Sequence, residues 1–480
     1  MTALRHLVII GDSYAAWMAA AFLGHSLKAL DGRQLTQVSV VATDAPQSRR
    51  ALSAPPSFRA FNARIGLNEA QLFTAAKALP FYGSQYDGFG DGTGSGAFWR
   101  AFGDYGVRLN TAPFHHFLTW QAQQTGMVDI DDYAPAVKLA ASGRFTPPVS
   151  AMESPLSGVG HGLNLDTAAY RRLLKTASPM VRVIEGTLSG FSRDELGRVS
   201  AIQLEGGQTV EADFFIDADG WLTEQRNVPF VAAVGLSHDR AIEVGALHAD
   251  ERAANHITAV DGGFMLRRPV GGEDRIRLVY DSRQIDTDQA RNLLGDMGAE
   301  AEIETFVQGR RTAFWQDNVL SIGEASGVLD GIGLHELMFV QHELTQFLAL
   351  FPDQESRPEL AREYNRVLTQ SFDRTADFAR LHYAESGWSE SVRQKVSYFR
   401  SRGYIQMLDD ETASEADFLS LLWGRGIRPE RYDRTIDALD KALTLKRLEQ
   451  MRNIINHEIN RLPSFAVLRQ QIEQAASGRA

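Results

Sequence analysis

Gly11, Ser13 and Ala16 stand at the spacing of a G-x-G-x-x-G turn, which lets a backbone come close to a diphosphate. The chemistry of such a turn is electrostatic. Free N–H groups and the dipole at a helix N-terminus meet phosphate charge, and small side chains leave room for it. One of the three glycines remains here, with serine and alanine in the other two places. The acid expected to hold a ribose at the end of the second strand is missing: Ala42 takes its place, and Asp44 follows two residues later. Two further turns combine acid and glycine. Asp217 and Gly220 close the run Ala212–Gly220, and Gly323 and Glu324 follow the run that begins at Asn318. The first turn alone is compatible with a structural βαβ unit that binds no nucleotide. Three such pieces in order point to a dinucleotide.

These residues need elements to place them. His6–Ile10 is a compact β-branched run, the mark of a strand buried on both faces. Tyr14–Leu27, rich in alanine and carrying Trp17, Met18 and Phe22, reads as a helix. Val38–Val41 is a second strand, which completes a βαβ unit. Strands are expected at Val181–Ile184, Ala201–Leu204 and Gln208–Ile216, with turns at Gly197 and Gly206-Gly207. A strand pair is expected at Gly263–Arg268 and Arg275–Tyr280, and from Leu337 the chain reads as helical. The stretch Pro80–Gly103 carries Gly83, Gly88, Gly90, Gly92, Gly94 and Gly96 between Phe81, Tyr82, Tyr86, Phe89, Phe98 and Trp99. It reads as a loop that lines or covers a pocket.

Composition bounds the function. The 480 residues are 44% hydrophobic and 23% charged, which fits a folded globular chain and excludes a disordered or collagen-like one. Forty-nine basic against 60 acidic residues give a net charge of −11, so no nucleic-acid partner is expected. No run approaches the roughly 18 apolar residues of a membrane span. Gly11 and Asp12 cut the N-terminal apolar run too short for a signal peptide. The chain has no cysteine, which excludes disulfides, thiolate zinc sites, iron–sulfur clusters and cysteine nucleophiles, and suits a reducing cytoplasm.

Over nearly its whole length the chain resembles the flavin-dependent tryptophan halogenases. The resemblance rests on an ordered set of segments. Trp17-Met18-Ala19-Ala20 follows the first turn. Trp99-Arg100-Ala101-Phe102-Gly103 and Phe114-His115-His116 come next, then Leu163-Asn164-Leu165-Asp166 with Tyr170, and Phe215-Ile216-Asp217. The tail adds Leu381-His382-Tyr383, Phe399-Arg400-Ser401-Arg402-Gly403 and Trp423-Gly424-Arg425-Gly426 with Pro429 and Tyr432. The resemblance implies an α/β fold: a Rossmann-type FAD-binding core, a mixed substrate-side sheet and a helical C-terminal region. We divide the chain into a discontinuous module over 1–350 and a helical region over 351–480. The resemblance also implies reduced FAD delivered by a separate flavin reductase, reaction with O2, and Gly11, Ser13, Ala16, Asp217, Gly220, Gly323 and Glu324 at the cofactor.

The catalytic segments depart from the family. Its relay lysine, which an electrophilic halogen requires, precedes a Gly-x-x-aromatic run; here that run is Gly83-Ser84-Gln85-Tyr86 and Phe81 stands at the lysine. Lys77 is one helical turn upstream if helix persists there; its structural alternative is a solvated surface lysine. The assisting glutamate falls on Gly333 in Asp330–His335. His335 is suited to acid–base work near neutral pH, or is a hydrogen-bonded structural histidine. With Glu336 it marks where the family holds halide. The family's Trp-x-Trp-x-Ile-Pro barrier becomes Phe264-Met265-Leu266-Arg267-Arg268-Pro269. Adjacent strand residues face opposite ways, so one arginine can point inward to a carboxylate unless both lie on a solvated edge strand. Phe81, Arg100, Phe102 and Arg268 form the expected substrate side.

The expected activity is therefore flavin-dependent oxidation of an aromatic or acidic substrate, small molecule or peptide, with halogenation not expected. The alternatives are a non-catalytic halogenase-like partner protein and a true halogenase using Lys77; a nicotinamide dehydrogenase ranks below both. A cytoplasmic location and a homodimer are compatible with the sequence.

Overall fold

The computed structural model describes residues 3–29, 34–43, 50–90, 96–107, 112–126, 128–149, 154–247, 252–355 and 357–476. Asp44, Gly92 and Gly94 lie outside them. The chain divides into two units. The first comprises Met1–Ala78, Leu165–Ala233 and Phe306–Asp373; the second comprises Leu79–Asn164, Val234–Thr305 and Arg374–Ala480. The sequence-based division at residue 350 falls inside the last segment of the first unit.

The first unit is built on a six-stranded sheet. From one edge its strands are Trp315–Gln316, Val319–Ser321, Phe214–Asp217, His6–Ile10, Gln37–Ala42 and Arg182–Glu185. All neighbours run parallel except the Trp315–Gln316 edge pair. His6–Ile10 has the second strand on one side and Phe214–Asp217 on the other, so the chain order reverses beside it. In open α/β sheets ligands bind at the carboxyl ends of strands at such a point. Four of its five residues are buried, as the apolar run requires. The helix Tyr14–Ser26 is buried from Tyr14 to Gly24, so its packing rather than an amphipathic stripe holds it.

Val199, Ile202, Leu204 and Val210, from a three-stranded antiparallel sheet, join Val8, Ile10, Val41 and Phe215 in one core. Full burial of a large apolar side chain there contributes about 1.5–3 kcal/mol. The single strand expected at Gln208–Ile216 is two strands, Thr209–Glu211 and Phe214–Asp217. The break is at Asp213, whose carboxylate accepts the N–H groups of Arg5 and His6 at 2.7 and 2.9 Å. That capture aligns the first strand with the third and ends the hairpin pairing.

The second unit contains a seven-stranded mixed sheet. Its order is Ile303–Thr305, Arg240–Leu247, Glu273–Tyr280, Gly263–Val270, Asn255–Val260, Gly83–Asp87 and Phe98–Ala101. The pair Asn255–Val260 with Gly83–Asp87 is parallel and the rest are antiparallel. The glycine-dense segment is therefore not simply a loop. Its ends form a hairpin in which Tyr86 pairs with Phe98, their rings stacked 5.0 Å apart. Helices Glu390–Arg402, Glu415–Gly424, Lys441–Asn460 and Phe465–Ala476 fill the tail. Among the described residues no helix is long and apolar enough to cross a membrane.

Candidate functional site

The first strand ends in a turn at Gly11, with φ +126°, a backbone angle that favours glycine. Ser13 caps the following helix, its hydroxyl accepting the N–H of Ala16 at 3.4 Å. Ala16 is fully buried and small, so the helix start stays open. The other two turns come to the same place. Gly323, φ +61°, lies where an added β-carbon would be 2.9 Å from the Ala15 side chain, so only glycine permits this approach. Gly220 is in ordinary contact with Ala325, which an added β-carbon would meet at 3.7 Å. Gly11, Ser13, Ala16, Gly220 and Gly323 are thus brought together in the first unit.

Asp217 departs from expectation. Its side chain is fully buried, accepting from the N–H of Gly220 at 2.9 Å and from the N–H and hydroxyl of Thr223, each at 2.7 Å. It pins the helix Trp221–Gln225 from inside, and burial raises its proton affinity against those donors. Its carboxylate therefore serves the turn rather than facing a ribityl chain. The acid at the turn's surface is its neighbour Asp219. Asp219 accepts the Thr43 hydroxyl at 2.5 Å and the N–H of Asp12 at 3.4 Å, and a β-carbon at Gly11 would overlap its carboxylate. Asp12 is turned aside, accepting from the indole N–H of Trp17 at 2.7 Å and from the Arg171 guanidinium.

Glu324 is half-exposed and ion-paired with Arg50, itself 8% exposed. The backbone carbonyl of Arg50 accepts from the N–H and hydroxyl of Thr167, which fixes the segment. The Tyr14 hydroxyl, driven up in pKa chiefly by burial, feels Arg50, Glu324 and Glu336. Glu336 therefore belongs to the same cluster. His335 is 8% exposed and occupies the N-cap position of the helix Glu336–Ala349 without a side-chain cap bond. Residue type alone did not single out Arg50 or Asp219. Asp219 was visible only as part of the Asp-Ala-Asp-Gly string.

A diphosphate-bearing dinucleotide fits this turn. The backbone has the required angle, the helix start is lined by small residues, and an anion, the Asp219 carboxylate, already rests against it. Gly11 and Ser13 would hold the diphosphate, and Arg50, paired with Glu324, belongs to the same cluster.

Lys77 has left the helix Glu69–Ala75, has a left-handed φ of +52° and is exposed. The helical turn that would have carried it toward position 81 is absent. Phe81, Arg100, Phe102 and Arg268 belong to the second unit. Phe81 is fully buried, edge-on to Phe102 with ring centres 5.1 Å apart. Arg100 is 7% exposed, over the rings of Phe378 and Tyr86 at 5.2 and 5.9 Å, with Asp417 at 3.9 Å. Arg268 is 1% exposed and Arg267 pairs with Asp274. Their strand is internal to the sheet, so the solvated-edge alternative does not hold. A cavity of about 930 Å³ opens in this unit among Phe89, His238, Tyr383, Arg425, Arg428 and Glu385. Arg428 lies 4.3 Å over Trp423, and Arg425 donates to the carbonyls of Leu381 and Tyr383. Its walls combine rings with fixed guanidinium groups.

A family model described as Tryptophan halogenase matches residues 6–441. Tryptophan 7-halogenase RebH of Lentzea aerocolonigenes is 24% identical over 436 residues, covering 84% of this chain and 79% of that protein. Tryptophan 6-halogenase ThaL of Streptomyces albogriseolus is 22% identical over 446 residues, covering 83% and 82%. Two solved structures are similar over 98% of this chain. BrvH, a flavin-dependent halogenase from Brevundimonas sp. BAL3, gives a TM-score of 0.91 at 25% identity, with 99% of its chain covered. Xcc4156, a flavin-dependent halogenase from Xanthomonas campestris, gives 0.89 at 25% identity, with 98% covered.

Proposed function

Because the chain belongs to the tryptophan halogenase family, whose members are flavin-dependent, we propose that it is an FAD-dependent oxidoreductase that oxygenates an aromatic or acidic substrate and does not halogenate it. The observation that carries this reading is Phe81. At the aligned position of the relay lysine stands a fully buried ring packed on Phe102, and a hydrocarbon ring can neither hold nor hydrogen-bond a hypohalous acid. Lys77, exposed and off its helix, is a poor replacement.

Bound reduced FAD supplies two electrons and, with O2, an electrophilic oxygen; a separate flavin reductase in the cytoplasm would renew it. The chain's own part is binding and orientation. Gly11 and Ser13 would receive the diphosphate at the helix N-terminus. Arg50, held by Thr167 and Glu324, would offer a cation beside it. Arg100, Arg425 and Arg428 would favour a carboxylate on the substrate, and the rings around them an aromatic body. His335, at the N-cap of the helix Glu336–Ala349, would serve as the acid–base group.

The test is a reductase-coupled reaction with FAD, O2, bromide and a panel of indoles and indole carboxylates, followed by mass spectrometry. Oxygenated product without bromoindole is expected. Ready bromination overturns the reading and makes Lys77 the suspect relay. A second reading, a partner protein without turnover, is favoured by the Asp219 carboxylate at the Gly11 turn. Absence of any FAD-dependent product or flavin oxidation would support it.

A further inference from the structure

The turn suited to a diphosphate already carries an anion of the chain's own. Asp219 reaches it from the end of the Phe214–Asp217 strand, more than two hundred residues away in sequence. It ties three parallel strand ends together: Gly11 after the first, Thr43 after the second, and itself after the third. The other charges nearby do not cancel it. Arg171 is engaged by Asp12, and Arg50 by Glu324. A phosphate entering the cradle would meet a carboxylate in the space beside Gly11 and find the Asp12 N–H and the Thr43 hydroxyl already used.

We propose that Asp219 is an internal competitor of the cofactor's diphosphate, so that FAD enters only as this carboxylate leaves the Gly11–Ser13 cradle, and that this side chain sets the cofactor's affinity. The inference rests on the reading that the cradle takes FAD. Like charges at such short range in a half-buried site oppose each other strongly. Burial also lifts the Asp219 carboxyl above the usual range, as expected of an acid in a costly position. Displacing the carboxylate frees one N–H and two hydroxyls, those of Thr43 and Ser13, for phosphate oxygens, so departure and entry are one exchange.

The test titrates the full-length protein and its Asp219→Asn and Asp219→Ala variants with FAD, ADP and riboflavin, by calorimetry and flavin fluorescence. ADP keeps the diphosphate and lacks the flavin; riboflavin is the reverse. Both variants are expected to bind FAD and ADP at least about tenfold more tightly, with riboflavin unchanged. Thr43→Val, which removes one of the donors holding the carboxylate without touching the turn, is expected to move FAD and ADP in the same direction by a smaller factor. Unchanged affinities for FAD and ADP overturn the proposal. Weaker binding in Asp219→Asn also overturns it and would make Asp219 an acceptor for ribose hydroxyls. If ADP tightens while FAD binds to no form, the competitor stands and the flavin reading fails. If FAD binds tightly and equally to all forms, the flavin reading stands and the competitor fails.

Discussion

The carboxyl of Glu343 lies 2.5 Å from the hydroxyl of Ser326, and that same hydroxyl lies 2.7 Å from the carbonyl oxygen of Gly323. A serine hydroxyl has one proton to give. Shared between the Gly323 carbonyl and the Glu343 carboxyl, that proton favours the charged carboxylate and opposes the effect of burial. The second carboxyl oxygen accepts the N–H of Gly323 at 2.8 Å. Glu343 clamps the Gly323 turn against the first helix, and burial outweighs both donors and pushes its pKa up to about 8.

Stability should follow the Glu343 carboxyl proton. The folded pKa lies above the ordinary value of 4.5, so the stabilisation is complete below 4.5 and lost as pH rises through about 8. Each pH unit between these values removes at most about 1.4 kcal/mol. Melting temperature should fall from pH 5 to pH 9 in the wild type. Glu343→Gln, neutral and able to both donate and accept, should flatten that fall and melt higher than wild type at pH 9. An unchanged slope would place the charge elsewhere.

His115 should act at the acid end with the opposite sign. Burial, then the neighbouring His116 charge, lowers its pKa from 6.5 to about 4, and it lies 2.6 Å from the Gly403 carbonyl oxygen. The unfolded chain takes up this proton first, so the stabilisation present above 6.5 is lost as pH falls through 4. His115→Gln should lessen the drop in melting temperature between pH 6.5 and pH 4. An equally steep drop would contradict the assignment.

Phe81 should matter to folding more than a catalytic lysine would. Removing a fully buried phenyl ring that packs on Phe102 costs about 3–5 kcal/mol, so Phe81→Ala should lower the urea midpoint markedly. Phe81→Lys should also destabilise, because it buries an amine among apolar groups. A lysine variant as stable as wild type would show that the site retains room for a relay.

Arg50 should act on the cofactor. Replacement by methionine keeps the packed stem and the backbone bond to Thr167 but removes the cation beside Glu324. FAD affinity should weaken about tenfold with little change in melting temperature. Equal affinity in Arg50→Met, measured by flavin fluorescence, would assign Arg50 to structure alone.

Much of the fold was legible because its signals are local. The run Leu7–Ile10, the small-residue turn and the alanine-rich helix predict one another, and the structure keeps all three. What escaped depends on distant partners. Asp213 breaks an apparently continuous strand because it captures Arg5 and His6 from the far end of the chain. Asp217 and Asp219 look equivalent in sequence. Only the position of Thr223 inside, and of Gly11 and Thr43 at the surface, separates a structural carboxylate from one in the cradle. Arg50 lies in a segment with no motif, and its value comes from Glu324, 274 residues on. Lys77 stands off its helix for a local reason, since the helix ends at Ala75 and the chain turns left-handed two residues later.

The most direct test is a crystal structure of the protein soaked in concentrated FAD. Diphosphate density is expected at Gly11 and Ser13, with Asp219 rotated away from Thr43. Asp219 still bonded to Thr43, with the cradle closed by side chains and no dinucleotide in it, would show that this turn does not hold the cofactor.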